Sequence, residues 1–471
     1  MIRFDCIVSL FRIKHLYFDK TFFLSKKPTY DELYQMVEQL LKRVSQLEEE
    51  IHRLKHKKNS DNSSIPPSKD ENRLRRTSSL RKPTDRKPGG QTGRKGKTLE
   101  MVDIPDQIIE TLPEYCQCCG ESLTEASKIK QAARQVVDIP PVKAIFTEYQ
   151  TFSKKCKCGH ITHSDFPCSV NTPVRYGEHI ESIIAYLHTR QYVPFARMQE
   201  MLNDIFHINI SQGGIHYLLN RFADKLDPVY EIIRQRVQNS KVVGTDETGA
   251  KVNGKRNWFW TWQTPKHTFI THSQNRGKET INRHFPSGFS NSTLIHDAWR
   301  AQLNTPAKYH QSCLSHLQRN LKYLNELYHK NTWGKSFLKL LYNSLELKGS
   351  MTYSDYKENN QKRNDIIKRF DNLLNKPPDK KYKELYTFYK RMLRDRDHIF
   401  TFLFIPEVPP DNNASERAIR NIKVKQKISG QFKIEKAAQN FAKIRSVIDT
   451  TIKNGMNVMQ SLAIIAKLQT D

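Results

Sequence analysis

The sequence predicts a multidomain α+β protein: an amino-terminal helix and basic arm, a small cysteine-bearing module, a helical segment, and a larger α/β domain. Three observations carry this prediction. A heptad stripe runs from Leu33 to Leu54, two tight cysteine pairs bracket short apolar runs, and after Lys241 the texture turns to strands, two of which end in aspartates before a long helical stretch. A chain of 471 residues exceeds the size at which one hydrophobic core stops growing, so several packed units are expected.

Lys and Arg number 77 against 49 Asp and Glu, a formal charge of +28, with an isoelectric point near 9.6. That balance points to a polyanionic partner, with nucleic acid first. A membrane is excluded as a spanning partner, because no stretch approaches the roughly 18 uncharged apolar residues that a crossing helix needs. Residues 1–28 are apolar and aromatic, yet Arg3, Asp5, Arg12, Lys14, Asp19 and Lys20 break every run long enough for a signal-peptide core. They read as an amino-terminal extension without an export function. Eight cysteines are too few for a disulfide scaffold and point to metal ligation in a reducing compartment, so a cytoplasmic, nucleoid-associated protein is expected.

In residues 29–57, Leu33, Val37, Leu40, Val44, Leu47, Ile51 and Leu54 alternate steps of four and three. The residues opening each four-residue step are Leu and the alternate ones are Val, Val and Ile, the combination that favours a parallel two-stranded coiled coil. A homodimer, at least, is the expectation; an amphipathic helix packed on its own domain is the alternative. Residues 58–100 are expected to be a basic disordered linker. From Lys55 to Lys97 there are fourteen Lys or Arg, four acids and no Phe, Trp or Tyr, a composition that buries too little to order itself and suits an arm along phosphates. Arg94 and Lys95 are its expected DNA contacts.

Residues 101–170 are expected to form a small strand-rich module. Cys116 and Cys119, followed by Gly120, and Cys156 and Cys158, followed by Gly159, supply four thiolates for a structural tetrahedral Zn²⁺ site. The glycine after each pair allows the tight turn that aims backbone amides at sulfur. Cys118, His160 and Cys168 are spare ligands, and unliganded cysteines are the alternative reading. Residues 171–240 turn helical, with Ser211 a plausible N-cap. Two helices there suit a helix-turn-helix, although the second carries few base-reading cations and structural packing fits it better.

Residues 241–445 open with strands at Lys241 to Asp246, Trp258 to Trp262, Thr268 to Thr271 and Thr293 to Asp297, pass through helices at about 317–400, and reach a helix near Asn412. A helical tail, 446–471, follows. Asp246 and Asp297 end the first and last strands, so neighbouring parallel strands would bring both to one edge, and Glu416 sits in the first turns of the later helix. Such a trio suits two-metal phosphoryl chemistry, in which converging carboxylates hold Mg²⁺ or Mn²⁺. Capping explains each carboxylate individually as well. Glu247 faces away from this edge if the strand continues. Between Arg417 and Arg445, nine Lys or Arg face the single acid Glu435. Arg417, Arg420, Lys423, Lys425 and Lys427 are the expected phosphate contacts.

The blocks Gly244-Thr245-Asp246-Glu247-Thr248-Gly249, Ile295-His296-Asp297-Ala298-Trp299, Cys313-Leu314-Ser315-His316 and Asn412-Asn413-Ala414-Ser415-Glu416-Arg417 through Gly430 together resemble the transposases of the bacterial insertion sequence 66 family. Asn62-Ser63-Ser64, Gly89-Gly90-Gln91 and the cysteine pairs share the resemblance. It implies an RNase H-like catalytic domain of the DDE type with a helical insertion, and it carries the catalytic role onto Asp246, Asp297 and Glu416. It also implies that Cys313 and His316 are a Cys-x-x-His signature supporting the site, through packing rather than direct ligation. The activity implied is cleavage and joining of double-stranded DNA at transposon ends and target, with accessory proteins of the same element as further candidate partners. A catalytically inactive DNA-binding regulator and an RNase H-fold nuclease without strand transfer share these features and stay open.

Overall fold

The computed structural model describes residues 29–55, 58–59, 62–63, 70, 99–140 and 142–468. The extension 1–28 and the arm residues Arg94 and Lys95 lie outside them. Helix α1 (Tyr30–Lys55) carries the heptad stripe, and every stripe residue from Leu33 to Leu54 is exposed. The cysteine module holds a short antiparallel hairpin, β1 (Ser153–Lys155) with β2 (Ile161–His163), and an isolated bridge between Tyr115 and Ser122. This is less strand than expected. The apolar runs at Val136 to Ile139 and Ile145 to Phe146 are exposed rather than paired.

Four helices follow: α2 (Glu178–Ala185), prolonged by a π-turn at Tyr186–Arg190, α3 (Phe195–Phe206), α4 (Gln212–Asp224) and α5 (Asp227–Gln238). Ser211 caps α4 as expected, its hydroxyl accepting from the Gly214 N–H at 3.0 Å. The apolar face of α4, with Ile215, Leu218, Leu219 and Phe222, lies in the core, which favours the packing role over base reading. Glu181, fully buried on α2, takes Arg221 at 3.2 Å and Lys225 at 3.0 Å, so its charge is paired twice.

The sheet comprises β3 (Val242–Val252), β4 (Lys255–Gln263), β5 (Thr268–Ser273), β6 (Phe289–His296) and β7 (Ala307–Ser312), with α6 (Lys278–His284) and α7 (Arg300–Leu303) in its connections. Its order is β5-β4-β3-β6-β7, antiparallel across the first three strands and parallel from β3 through β7. Alternation along the strands splits two cores: Trp260, Trp262 and Phe269 face the four-helix segment, while Phe259 and Ile270 face the opposite side. Two expectations are corrected. Asp246 does not end its strand, because β3 continues in pairing with β4 as far as Val252, through a turn in which Asn253 and Gly254 both have positive φ, the hairpin signature of that dipeptide. Nor is the Asp297 strand the last, because β7 adds a parallel edge beyond it.

Helices α8 (Leu314–Leu327), α9 (Trp333–Ser350), α10 (Tyr353–Lys357), α11 (Gln361–Asn375) and α12 (Lys383–Arg394) pack around a core of their own that includes Phe337, Phe370 and Phe402. The chain then returns to the sheet as α13 (Asn413–Ser429), α14 (Glu435–Lys453) and α15 (Val458–Ala466). Helix α14 seals the β5 edge: Ser446 Oγ accepts from the Ile270 N–H at 2.8 Å, and Thr450 Oγ1 from that of Thr268 at 3.1 Å. Among the described residues, no helix is long and apolar enough to cross a membrane.

Candidate active site

Parallel pairing sets the first two carboxylates side by side. Gly244 on β3 is opposite Ile295 on β6, the last parallel pair of the two strands, and Asp246 and Asp297 each lie two residues further on. Immediately beyond Asp297 the backbone turns sharply at Ala298, whose φ is 62°. The Ala298 N–H donates to His296 Nδ1 at 3.0 Å, which steadies that strained turn. Glu416 enters from the first turn of α13.

The close approach of α13 has two local causes. At Gly244 a Cβ would lie 2.6 Å from Ser415 Oγ and 2.9 Å from Asn412 Oδ1, so only glycine lets the helix start settle on β3. Asn412, almost fully buried, then ties the pieces together. Its backbone N–H donates to Cys313 Sγ at 3.2 Å, its Nδ2 donates to the Thr245 carbonyl at 2.8 Å, and its Oδ1 accepts from Ser415 Oγ at 2.7 Å. Thr245 precedes Asp246, and Ser415 precedes Glu416. The Glu416 N–H in turn donates to the Asn412 carbonyl at 3.2 Å.

Electrostatically the cluster is tense. Burial first, then the negative charges of Asp297 and Glu247, push the Asp246 carboxyl well above the ordinary carboxylate range; the Glu247 N–H on its Oδ1, at 2.8 Å, and His316 only partly oppose this. His316 Nδ1 lies 3.1 Å from Asp297 Oδ1. Burial lowers the His316 pKa, but hydrogen bonding to Asp297 and Cys313 outweighs it and lifts the value to about 10. The Nε2 side argues the other way: Arg319 Nη2, a donor only, sits 2.9 Å from it and needs a lone pair there. That contact fits a ring whose Nδ1 carries the proton toward Asp297 and whose Nε2 accepts from Arg319. Arg319 also lies 3.5 Å from Glu416 Oε1, and Arg420 lies 3.7 Å from Glu416 Oε2.

The donor set fits a cation. Asp297 Oδ1 and Glu416 Oε1 are buried acceptors without an aligned hydrogen bond, and two neighbouring strands present mutually repelling carboxylates. Oxygen ligands of this kind suit Mg²⁺ or Mn²⁺. Asp297, Cys313 and His316 place one ligand atom each within 4.8 Å of one another. Cys313, buried and already accepting from Asn412, is a softer donor than those ions prefer.

Arg276 and Asn412 are neighbours of the site to which residue-type reasoning assigned no role, whereas Glu247 faces away from the carboxylate edge as expected. Glu247 points to the other side of β3 and is buried. There Oε1 accepts from Arg276 Nε at 2.8 Å and Nη2 at 2.6 Å, while Oε2 accepts from Gln302 at 2.7 Å. The Arg276 guanidinium stacks on Trp299, 3.9 Å from the ring centre, so the loop that carries Asp297 is pinned to β3 from behind. The only signal for this in the sequence is that Glu247 directly follows Asp246.

Of the cations expected at phosphates, Arg417, Arg420 and Lys427 are exposed on α13. Lys423 donates to the Gly249 carbonyl. Lys425 contradicts its expectation: it is buried, and burial pushes its ammonium down to about 8, so it faces the interior rather than a polyanion. The cysteine pairs each close locally. Backbone N–H groups of Cys119 and then Cys118 pull the Cys116 thiol below its ordinary value, and those of Cys158 do the same for Cys156. Gly120 and Gly159 take positive φ, 77° and 91°, to make the turns. The two pairs do not meet in one four-thiol cluster among the described residues.

The chain thus combines a mixed sheet that presents neighbouring carboxylates with a large excess of positive charge. Residues 173–440 match the transposase IS66 family, and the chain belongs to that family. Residues 113–159, which span both cysteine pairs, match the zinc-finger binding domain of transposase IS66, and residues 24–100 match a family of unknown function. No curated protein matches the chain.

Replacing Asn412 tests the junction. Asn412→Ala removes two side-chain hydrogen bonds and leaves the Thr245 carbonyl buried without its partner, an expected loss of about 2–3 kcal/mol. A lowered urea midpoint, together with exposure of the α13 start to hydrogen exchange, is the expected result; an unchanged midpoint would show that the helix is anchored elsewhere.

Proposed function

We propose that this chain is a DNA transposase that cuts and joins strands at Asp246, Asp297 and Glu416, which would together hold Mg²⁺ or Mn²⁺. The observation that carries the proposal is the register-matched pair Asp246 and Asp297, together with the buried Asp297 Oδ1 and Glu416 Oε1, which lack an aligned hydrogen bond. Three antiparallel strands continued by two parallel ones support an RNase H-like reading of residues 241–445, with the helices from α8 to α12 as its insertion. When bound, the metal would supply activation of the attacking oxygen and stabilisation of the leaving oxygen. The protein's own part is geometry and charge. Asp246 and Asp297 fix the reacting edge, Glu416 closes it from α13, and Arg319 and Arg420 put positive charge where the phosphodiester lies. Hydrolysis breaks a P–O bond at the transposon end and frees a 3′-hydroxyl. That hydroxyl then forms a new P–O bond in the target strand, displaces the target's own 3′-oxygen and gives up its proton to solvent.

Incubating purified protein with Mg²⁺ and a labelled duplex carrying a terminal repeat tests this reading. Nicking followed by joining is expected, and Asp246→Ala, Asp297→Ala and Glu416→Ala each lose it by roughly a thousandfold or more, about 4 kcal/mol in barrier. Binding without cutting would favour the regulatory alternative, and nicking without joining the nuclease. Activity surviving Asp297→Ala contradicts the carboxylate assignment.

For the amino-terminal half, the exposed stripe of α1 is read as a parallel two-stranded coiled coil. Cys116, Cys119, Cys156 and Cys158 are read as the ligands of one structural zinc, and the arm as a phosphate-tracking linker. The protein would then act at the nucleoid as a homodimer at least. Sedimentation equilibrium and metal analysis of one preparation check both readings. A dimer that Leu40→Lys with Leu47→Lys converts to monomer, carrying one zinc per chain, is expected; a monomeric parent or a zinc-free folded chain contradicts the respective reading.

A further inference from the structure

Away from the carboxylates, α8 and α12 enclose a cavity of about 890 Å³. Its rim is formed by the turn at the start of the arm. The Asn59 N–H donates to Asn62 Oδ1 and the Asn62 N–H to Asn59 Oδ1, at 2.8 and 2.9 Å. Asn62 Nδ2 donates to Glu326 Oε2 on α8 at 2.8 Å. Asn62 and Ser63 are buried by this docking, and Lys58 is held over the Tyr323 ring. Among the described residues the cavity is lined by Lys58, Lys390, Arg391 and Arg394 and by Glu384, which accepts from the Tyr328 hydroxyl, with Glu326 beside its rim.

Arg391 is the informative member. Its guanidinium lies over Phe388, 4.8 Å from the ring centre, and both Nε and Nη2 are buried donors with no hydrogen-bond partner. Buried, unsatisfied guanidinium donors are costly, and they are the pair that a phosphate's oxygens take in a fork. Arg394 is already paired with Asp395 through two bonds, and exposed Lys390 borders the same opening.

Resting on the transposase reading, we propose that this groove is a phosphate-binding site for a DNA strand that continues beyond the reaction centre. Helix α8 supplies the continuity. His316 and Arg319 face the carboxylates, while Asn320, Tyr323 and Leu324, within the next turn or so, line the groove. At 1.5 Å per residue, Arg319 and Tyr323 are about 6 Å apart along the helix. The cavity exceeds what one free phosphate needs, and its Tyr323 and Phe388 walls suit sugar and base faces. Lys58 shows that the basic arm starts at the same place.

The test uses the full-length protein and a fluorescein-labelled duplex of arbitrary sequence, because phosphate contacts do not depend on sequence, with Kd read by anisotropy across a KCl series. Arg391→Gln should weaken binding about five- to tenfold at moderate salt and flatten the plot of log Kd against log[KCl] by about one, the signature of one lost phosphate contact. Lys390→Gln, at an exposed position that does not endanger folding, should move both readouts in the same direction. Arg391→Lys, which keeps the charge and loses the fork, should keep the slope and bind less tightly than the parent. If the parent binds and Arg391→Gln and Lys390→Gln match it in affinity and slope, the groove proposal fails alone. If the parent does not bind duplex DNA, the transposase reading fails and the groove with it.

Discussion

The site depends on how α13 is attached. An Asn at a helix start ordinarily turns its side chain back to cap the first turn, but Asn412 makes no such cap. Its amide reaches sideways to Thr245 and Ser415, and its backbone N–H reaches Cys313. One residue therefore links the strand that bears Asp246, the cysteine between β7 and α8, and the turn that bears Glu416. More than a hundred residues separate Asp297 from Glu416, and α8 to α12 fill that interval around a core of their own. The Asn412 junction and the space left by Gly244 fix the start of α13, and the Leu314 N–H on the Pro410 carbonyl and the Lys423 bond to Gly249 hold the segments on either side.

The convergence comes at an electrostatic cost. Asp246 holds its proton far more tightly than an ordinary carboxylate, because burial and the charges of Asp297 and Glu247 act together. His316, Arg319 and Arg420 answer part of that charge at Asp297 and Glu416, yet oxygens on both remain without aligned donors. A purely structural cluster would be expected to satisfy such oxygens. Behind the strand, by contrast, both Glu247 oxygens accept hydrogen bonds, from Arg276 and Gln302, although burial still raises its pKa. The two adjacent acids of one strand thus face opposite sides of the sheet, Glu247 toward an arginine and Asp246 toward Asp297.

Much of this was legible in the sequence where pattern and geometry are directly linked. Alternation in Trp258 to Trp262 marks a strand with two buried faces, and apolar runs ending in aspartate mark two parallel neighbours. What failed did so for physical reasons. Strand β7, Ala307-Lys308-Tyr309-His310-Gln311-Ser312, is polar along most of its length because it is an edge strand, and it lacks the apolar signature. The extension of β3 beyond Asp246 is imposed by pairing with β4, a long-range fact, although Asn253-Gly254 announces the hairpin. Lys425 was misplaced by counting charge without helical phase. It follows Ala418 and Ile422 at steps of four and three, all three buried, whereas Arg417, Arg420 and Lys427 share the exposed face. The groove at Arg391 has no local motif, because its members come from the arm, α8 and α12.

The carboxylate assignment is tested most directly by titrating Mn²⁺ into the metal-free protein and following the free ion by electron paramagnetic resonance. Binding at the parent site is expected to weaken at least about tenfold, roughly 1.4 kcal/mol, in each of Asp246→Asn, Asp297→Asn and Glu416→Gln, and to change little in Cys313→Ser. Loss in Asp297→Asn, Cys313→Ser and His316→Gln with none in Asp246→Asn or Glu416→Gln would instead place the ion at the Asp297, Cys313 and His316 cluster, and would contradict a three-carboxylate centre.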